Sequence, residues 1–373
     1  MKICHLIYDD IANPWLAGGG AVRAREIYRR LAQRHQVTLI TGLFPGAQRE
    51  EEIDGIHFVR VGSDRSYARS RLAYCYAAVD QLKRMSWDVW VNEFSAFAPL
   101  RVPASMRRGG VLFFQHFMGR HAMVKRPIVG LPAWIAERRV LGAYPRILTV
   151  SPSVQKRVEY RIRGRNVSVH CVFNGVDQRY FDLPSYSGDY ILFLGRADVH
   201  MKGLDLLVAA FAQISESYPN LRLKIAGRAE KTQTVLLHKL VSTSGAEGRI
   251  DVLGSVGEEQ KDDLLANARF ACMPSRYEGW GIAAVEAQAA GKAVLATQIS
   301  GLQDAVRHGE TGHLVISDNV SALADGMCYL LDNESVRAQM EKRARAWARR
   351  FDWDQLALDQ EGVYLRAIKA NSD

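Results

Sequence analysis

Glu278 and Glu286 stand eight residues apart in the stretch SRYEGWGIAAVEAQAAGKAV (275–294), with Gly279 and Gly281 between them. Bare glycines let the main chain approach a ligand that a side chain would obstruct, and they accept positive φ at no steric cost. A carboxylate can accept from two neighbouring hydroxyls, a common way to read a sugar. In the loop, Glu278 suits sugar hydroxyls better than phosphate. Glu286, over one turn into the following helix, can reach a second diol such as a ribose. Upstream, Arg196 precedes a short loop in which Lys202 and Gly203 open another helix. Helix N-termini favour anions, but the dipole contributes only about 0.3–2 kcal/mol, whereas a hydrogen bond to a charged group is worth about 1.5–3. Arg196 and Lys202 are therefore what make a diphosphate site credible. The set suits a nucleoside diphosphate sugar, gripped at both ends and in the middle. A plainer alternative has Glu278 capping the helix and Glu286 merely exposed. GWGIAA also matches the dinucleotide fingerprint G-x-G-x-x-A, but it falls late in its domain, and Asp304 is the only acid between Glu286 and Glu310, so the sugar-nucleotide reading is favoured over NAD.

The elements that must position these residues follow a βαβα rhythm. KICHLIY, QVTLITG, DVWVNEF, GVLFFQH and RILTVSPS are short apolar runs separated by polar or amphipathic sequence, such as the helical pattern from Val22 to Arg34. Continuous apolar strands are those of a parallel sheet covered on both faces. Gln178 to Asp189, with Pro184, Ser185, Ser187 and Gly188, reads as a linker. A second series follows: DYILFLGR, helix 204–217, LRLKIAG, helix 233–244, RIDVLGS, helix 258–267, RFACMPS, helix 282–290, KAVLAT and GHLVI. The expected fold is α/β, with two Rossmann-like doubly wound domains, and ligands belong beyond the carboxyl ends of their strands. The tail, 351–369, reads as an amphipathic helix carrying Trp353, Leu356, Leu358, Val363, Tyr364, Leu365 and Ile368.

A chain of 373 residues suits two domains. No window approaches the roughly 18 apolar residues of a membrane span, and MKICHLIYDD meets acids too soon for a secretory signal, so a cytoplasmic protein is expected. The five cysteines are scattered without C-x-x-C or zinc-like spacing and read as reduced packing residues. Net charge is +9 but unevenly spread: residues 1–187 hold 28 Lys and Arg against 15 Asp and Glu, and the remainder 21 against 25. Within 120–146, Arg120, Lys125, Arg126, Arg138 and Arg139 interleave with Ile128, Leu131, Trp134 and Ile135. That pattern suits an element resting on anionic lipid at the inner face of the cytoplasmic membrane; packing of the same stripe in a core is the alternative. A lipid surface or phosphorylated glycan, not nucleic acid, is the anionic partner expected.

The motifs E-G-W-G-x-x-x-x-E and A-x-x-A-G, with F-N-G-V-D (173–177), L-G-R (194–196) and K-G (202–203), resemble those of the family 4 glycosyltransferases of GT-B fold. The resemblance extends to Gly18–Gly20 after the first strand, His116 after GVLFFQ, T-V-S-P-S (149–153), D-A-V-x-x-G-E-T-G (304–312) and the closing F-D-W helix. It implies an N-terminal acceptor domain, 1–177, facing across a cleft a C-terminal donor domain, 178–350, with 351–373 packing back on the first. It also implies retention of anomeric configuration and no bound metal or other cofactor. By position, Arg196 and Lys202 would hold the diphosphate, Glu278 the donor sugar and Glu286 the ribose. Gly279, Gly281, Ile282 and Ala283 would line the nucleotide sugar, Gly19 and Gly20 would bring amides to the phosphates, and His116 would lie beside the transferred sugar. Lys292 replaces a common proline and should begin a strand without functional effect. G-L-Q-D (301–304) replaces the usual G-G-x-x-E, leaving base and sugar preference open.

The expectation is a retaining hexosyltransferase moving sugar from a UDP- or GDP-sugar to a lipid-linked or phosphorylated glycan, in bacterial cell-surface polysaccharide, lipopolysaccharide or glycolipid synthesis. Arg196 and Lys202 would meet charge developing on the departing diphosphate, with front-face substitution preferred to double displacement. A sugar-nucleotide epimerase or phosphorylase would need its own acid/base residues or a pyridoxal lysine. A non-catalytic lipid or nucleic-acid binder would leave the second-domain site unexplained. Asp352 and Asp354 imitate a DxD metal motif but start a helix, where acids cap. Asp9 and Asp10 either serve an acceptor or start a loop.

Overall fold

The computed structural model describes residues 1–15, 18–95, 102–117 and 127–372, with backbone alone for 127–129 and 372. The chain divides into two compact units, Met1–Asn174 with Trp353–Asp373, and Gly175–Asp352.

Unit 1 holds β1 (Lys2–Leu6), β2 (Gln36–Gly42), β3 (Glu50–Ile53), β4 (Ile56–Val61), β5 (Val89–Glu93), β6 (Gly110–Phe114), β7 (Arg146–Thr149) and β8 (Ser168–Cys171). Their order in the sheet is β3-β4-β2-β1-β5-β6-β7-β8, parallel except for β3 against β4. The five residues of β6, GVLFF, are all buried, as a strand covered on both faces must be. The β3–β4 hairpin at the sheet edge lies outside the expected strand series, although the sequence signals it: Asp54 and Gly55, at φ 54° and 75°, form the two-residue turn that an Asp-Gly pair favours. β8 escapes the apolar-run reading because SVHC is exposed or half-buried throughout.

Unit 2 holds β9 (Tyr190–Leu194), β10 (Arg222–Ala226), β11 (Ile250–Gly254), β12 (Phe270–Met273), β13 (Val294–Thr297) and β14 (Gly312–Val315), in the order β11-β10-β9-β12-β13-β14, all parallel. Each sheet reverses its strand order at its first strand, β1 in one and β9 in the other. The loops beyond β1, β5, β9 and β12 therefore flank the two switch points.

Two expectations are corrected. The segment expected as a linker is packed into unit 2: Asp177 caps a 3-10 turn, Gln178–Phe181, whose Tyr180 and Phe181 are buried. Ser185 then donates to Gly291 O at 3.2 Å, and Arg345 to Leu183 O at 2.9 Å. Lys292 does not begin a strand. It precedes β13, is buried, and its ammonium donates to Tyr186 O (2.6 Å) and Ala266 O (2.8 Å), fastening the same segment.

The last helix, Trp353–Ser372, belongs to unit 1 and buries Leu356, Ala357, Gln360, Val363, Tyr364 and Ala367, one face at helical spacing. Leu358 and Leu365 lie on its exposed side. Tyr364 meets Tyr28 hydroxyl to hydroxyl at 2.7 Å, and Glu361 accepts from Arg34 and His35. Asp354, in the first turn, pairs with Arg30. No helix among the described residues is long and apolar enough to cross a membrane.

Candidate functional site

In unit 2 the residues singled out from sequence gather beyond the carboxyl ends of β9 and β12, neighbouring strands at the switch point. Past β9, Arg196 is exposed, and Asp198 organises the loop by accepting from the amides of Met201 and Lys202. Gly203 caps the helix Leu204–Ile214 at φ 65°. A Cβ there would lie 2.0 Å from Pro274 O, so the glycine lets the lysine loop settle on the chain leaving β12.

On that second loop Gly281, at φ 99°, opens the helix Ile282–Ala289; Gly279 is not at positive φ. No side chain caps this helix. The amides of Ala284 and Val285 bond Gly281 O, which leaves those of Ile282 and Ala283 as the first-turn donors without an intrahelical partner. Glu278 does not cap: its carboxylate is ion-paired with the Lys202 ammonium, both side chains about a fifth exposed. The two residues that sequence singled out for a diphosphate and a sugar thus pair with each other.

Glu286 is more enclosed. Its Oε1 accepts from Lys261 Nζ at 2.9 Å and Tyr180 OH at 3.3 Å. Burial opposes the charge on Lys261, but the Glu286 carboxylate and Tyr180 outweigh it and raise the ammonium's pKa. Burial, then the same carboxylate, pushes the Tyr180 hydroxyl up, so it remains a donor.

Sequence reading missed the residues that join these parts. Arg276 donates to both carboxylate oxygens of Asp205, to His200 O and to Asp318, while its amide bonds Met201 O. Gly301, at φ 90°, lies against the glutamate loop: a Cβ would come within 2.6 Å of Glu278 O. Arg276 sits inside the quoted motif, but its partner lies 71 residues away, and no local pattern announces it.

In unit 1, Gly19 and Gly20 begin the helix Gly19–Leu31 beyond β1. A side chain at Gly20 would meet Gln115 Nε2 at 2.8 Å and Glu93 Oε1 at 2.9 Å, so this glycine is required by the Gln115–Glu93 hydrogen-bonded pair beneath it. His116 follows β6 and is exposed. Asp10 is resolved as structural: buried, it accepts from Arg60 Nε (2.9 Å), Thr41 Oγ1 (3.2 Å) and the Ala12 amide (3.0 Å). Asp9 points the other way, its Oδ2 3.5 Å from the Cβ position of Gly18. Of the basic element, Arg120, Lys125 and Arg126 lie outside the described residues, as does the Ile128 side chain. On the helix Pro127–Val140, Leu131, Ile135, Arg138 and Arg139 are all exposed, and Arg138 covers the Trp134 ring at 3.8 Å. Core packing of Leu131 and Ile135 is thereby excluded. The five cysteines are free thiols, and no group of three metal-ligating side chains occurs among the described residues.

Two α/β units, one sheet wholly parallel and the other parallel but for its edge strand β3, with paired cation and carboxylate loops at the switch point of the second, set the class of fold. Residues 177–347 match the family described as Glycosyl transferases group 1, and residues 17–180 that described as Glycosyltransferase Family 4. The chain belongs to glycosyltransferase family 4 and has its GT-B fold. It is 34% identical over 206 residues to the phosphatidyl-myo-inositol mannosyltransferase of Mycobacterium tuberculosis, covering 51% of this chain and 52% of that protein. The chain thus spans about half the length of the curated relatives it matches. Among solved structures it resembles the sucrose-phosphate synthase from Thermosynechococcus elongatus (TM-score 0.81, 20% identity, 99% of this chain and 100% of the other). It also resembles Anabaena Alr3699/HepE in complex with UDP-glucose (TM-score 0.75, 18% identity, 97% and 99%). At these identities the two structures speak for the fold alone.

Proposed function

We propose that this chain is a retaining hexosyltransferase that takes its sugar from a UDP- or GDP-sugar. The observation that carries the reading is the Lys202–Glu278 pair beside the uncapped helix at Ile282. On donor binding the two side chains exchange each other for ligand: Lys202, with Arg196, turns to the diphosphate, and Glu278 accepts from sugar hydroxyls. As the glycosidic bond breaks, negative charge grows on the departing diphosphate, where fixed cations act most strongly. These cations take the part a metal would otherwise play, so activity persists in a chelator. The amides of Ile282 and Ala283 and the bare Gly279 and Gly281 meet the nucleotide sugar, and Glu286 reads the ribose. Gly19, Gly20 and His116 serve the same reaction. The acceptor hydroxyl attacks from the face the diphosphate leaves and passes its proton to that oxygen, which retains configuration.

The acceptor is a lipid-linked or phosphorylated glycan at the inner membrane face, in cell-surface glycan or glycolipid synthesis. The mannosyltransferase relative's name pairs a hexose with a lipid-borne acceptor, and the helix Pro127–Val140 exposes aliphatic and basic side chains together, as an interfacial helix does. Incubation with a panel of UDP- and GDP-hexoses, with and without EDTA, tests the donor half. Slow release of UDP or GDP from one of them, in both conditions, is expected; release from none would refute the reading.

A further inference from the structure

Resting on that donor reading, we propose that Lys261 and Tyr180 are positioning residues that fix the Glu286 carboxylate for ribose recognition, making the protein's preference for ribo- over deoxynucleotides depend on a lysine 25 residues away in sequence.

Both donors fall on one oxygen. Lys261 Nζ and Tyr180 OH each bond Oε1 of Glu286, and no donor among the described residues bonds Oε2. A carboxylate has about four lone-pair sites; anchoring one oxygen leaves the other aimed and unfilled, as a reader of a vicinal diol requires. The anchors are themselves held. Arg179 donates to the Tyr180 hydroxyl at 2.8 Å and lies 4.7 Å from that ring, so the hydroxyl accepts from Arg179 and gives its own hydrogen to Glu286. Arg179 is in turn ion-paired with Glu258 and, at 3.7 Å, with Asp262. Glu258, Lys261 and Asp262 sit at i, i+3 and i+4 of the helix Glu258–Ala266, on one face. That face therefore supplies both the cation for Glu286 and the anions that hold Arg179 on Tyr180. With Lys261 and Glu286 only 18% and 14% exposed, the pair is screened weakly by water, and loss of one partner leaves the other to reorient.

The test is calorimetric titration of UDP, GDP, dUDP and dGDP into the wild type, Lys261→Met, Lys261→Arg and Tyr180→Phe. The wild type should bind one ribonucleotide at least tenfold tighter than its deoxy form. Lys261→Met should bring that ratio below threefold while leaving affinity for the deoxy form within about twofold, Tyr180→Phe should reduce it partly, and Lys261→Arg should restore most of it. A merely structural lysine would weaken both forms alike. If Lys261→Met fails to fold, an unchanged ratio in Tyr180→Phe refutes the inference. Equal binding of ribo and deoxy forms by the wild type overturns it while the donor reading stands; binding of neither UDP nor GDP overturns both.

Discussion

Arg276 grips Asp205 through two parallel hydrogen bonds, Nη1 to Oδ1 at 2.7 Å and Nη2 to Oδ2 at 2.8 Å. The guanidinium also reaches Asp318 and His200 O, so one side chain ties the lysine loop after β9 to the glutamate loop after β12. The Asp205 and Asp318 carboxylates hold the Arg276 pKa above its ordinary value, against burial. Forked geometry of this kind is not reproduced by an ammonium. Both Arg276→Met and Arg276→Lys should lower donor kcat/KM by about tenfold, roughly 1.4 kcal/mol, by loosening the two loops. Since Asp205 and Asp318 are partly solvated, the loss of thermal stability should stay near 1 kcal/mol. Donor kinetics of the lysine variant equal to wild type would refute the linkage.

Lys202→Ala should lower turnover by about 10²–10³, the usual loss when one preorganised donor to a transition-state oxyanion is removed. The variant also leaves Glu278 without its cation, so the double variant Lys202→Ala/Glu278→Gln should lose much less than the two single effects combined. Steady-state kinetics on the four proteins of this cycle decides it. Turnover of Lys202→Ala within threefold of wild type would remove Lys202 from the chemistry.

The glycine at 203 is a steric requirement. With φ 65° and Pro274 O only 2.0 Å from the Cβ position, Gly203→Ala must push two loops apart, and a cost of about 2–4 kcal/mol is expected. Gly248→Ala serves as the control, since a Cβ there meets nothing within 4 Å. Thermal melts should show a fall of several degrees for the first and almost none for the second. Equal melting temperatures would mean that the loops yield at no cost.

How much of this was legible beforehand depended on the reach of each signal. The parallel sheets were, because strands such as β9 and β12 are buried along their whole length and appear as unbroken apolar runs. The position of Glu286 on a helix and of Glu278 before it followed from the glycines and the small-residue run behind them. Their partners were not, because Lys202, Lys261 and Tyr180 meet them across separations of 76, 25 and 106 residues, over which one sequence carries no distance information. Gly20 shows a subtler limit: the family resemblance implied an amide role at the phosphates, while the structure adds a steric reason for the glycine in Glu93 and Gln115. Asp10, undecided from sequence, is settled only by Arg60, fifty residues on.

The exposed stripe on the helix Pro127–Val140 gives a prediction for association. Leu131 is 48% and Ile135 36% exposed, flanked by the basic Arg138 and Arg139. The chain should float with liposomes containing anionic lipid, less so at high salt, and weakly with neutral ones. Leu131→Asp/Ile135→Asp should abolish flotation while leaving donor hydrolysis in solution intact. Wild-type protein that binds neither liposome would defeat the membrane claim and leave the donor site untouched.

Lys292 gives the protein a pH dependence whose sign is fixed by its environment. Buried with two carbonyls as its acceptors, its ammonium is pushed down to about 8 by loss of solvation, against the attraction of Glu341. In the unfolded chain a lysine titrates near 10.4. Between those values the unfolded state binds more protons than the folded one, so raising the pH through this window favours folding. Below about pH 8 both states are protonated, and the folded chain bears the full cost of a buried charge. Lys292→Met removes the titration along with the two hydrogen bonds. The melting temperature of the wild type relative to Lys292→Met should therefore climb steadily from pH 8 to pH 10 and be level below pH 7.5. A difference that stays flat across the whole range would mean that Lys292 keeps an ordinary pKa and that solvent reaches its ammonium behind the segment it fastens.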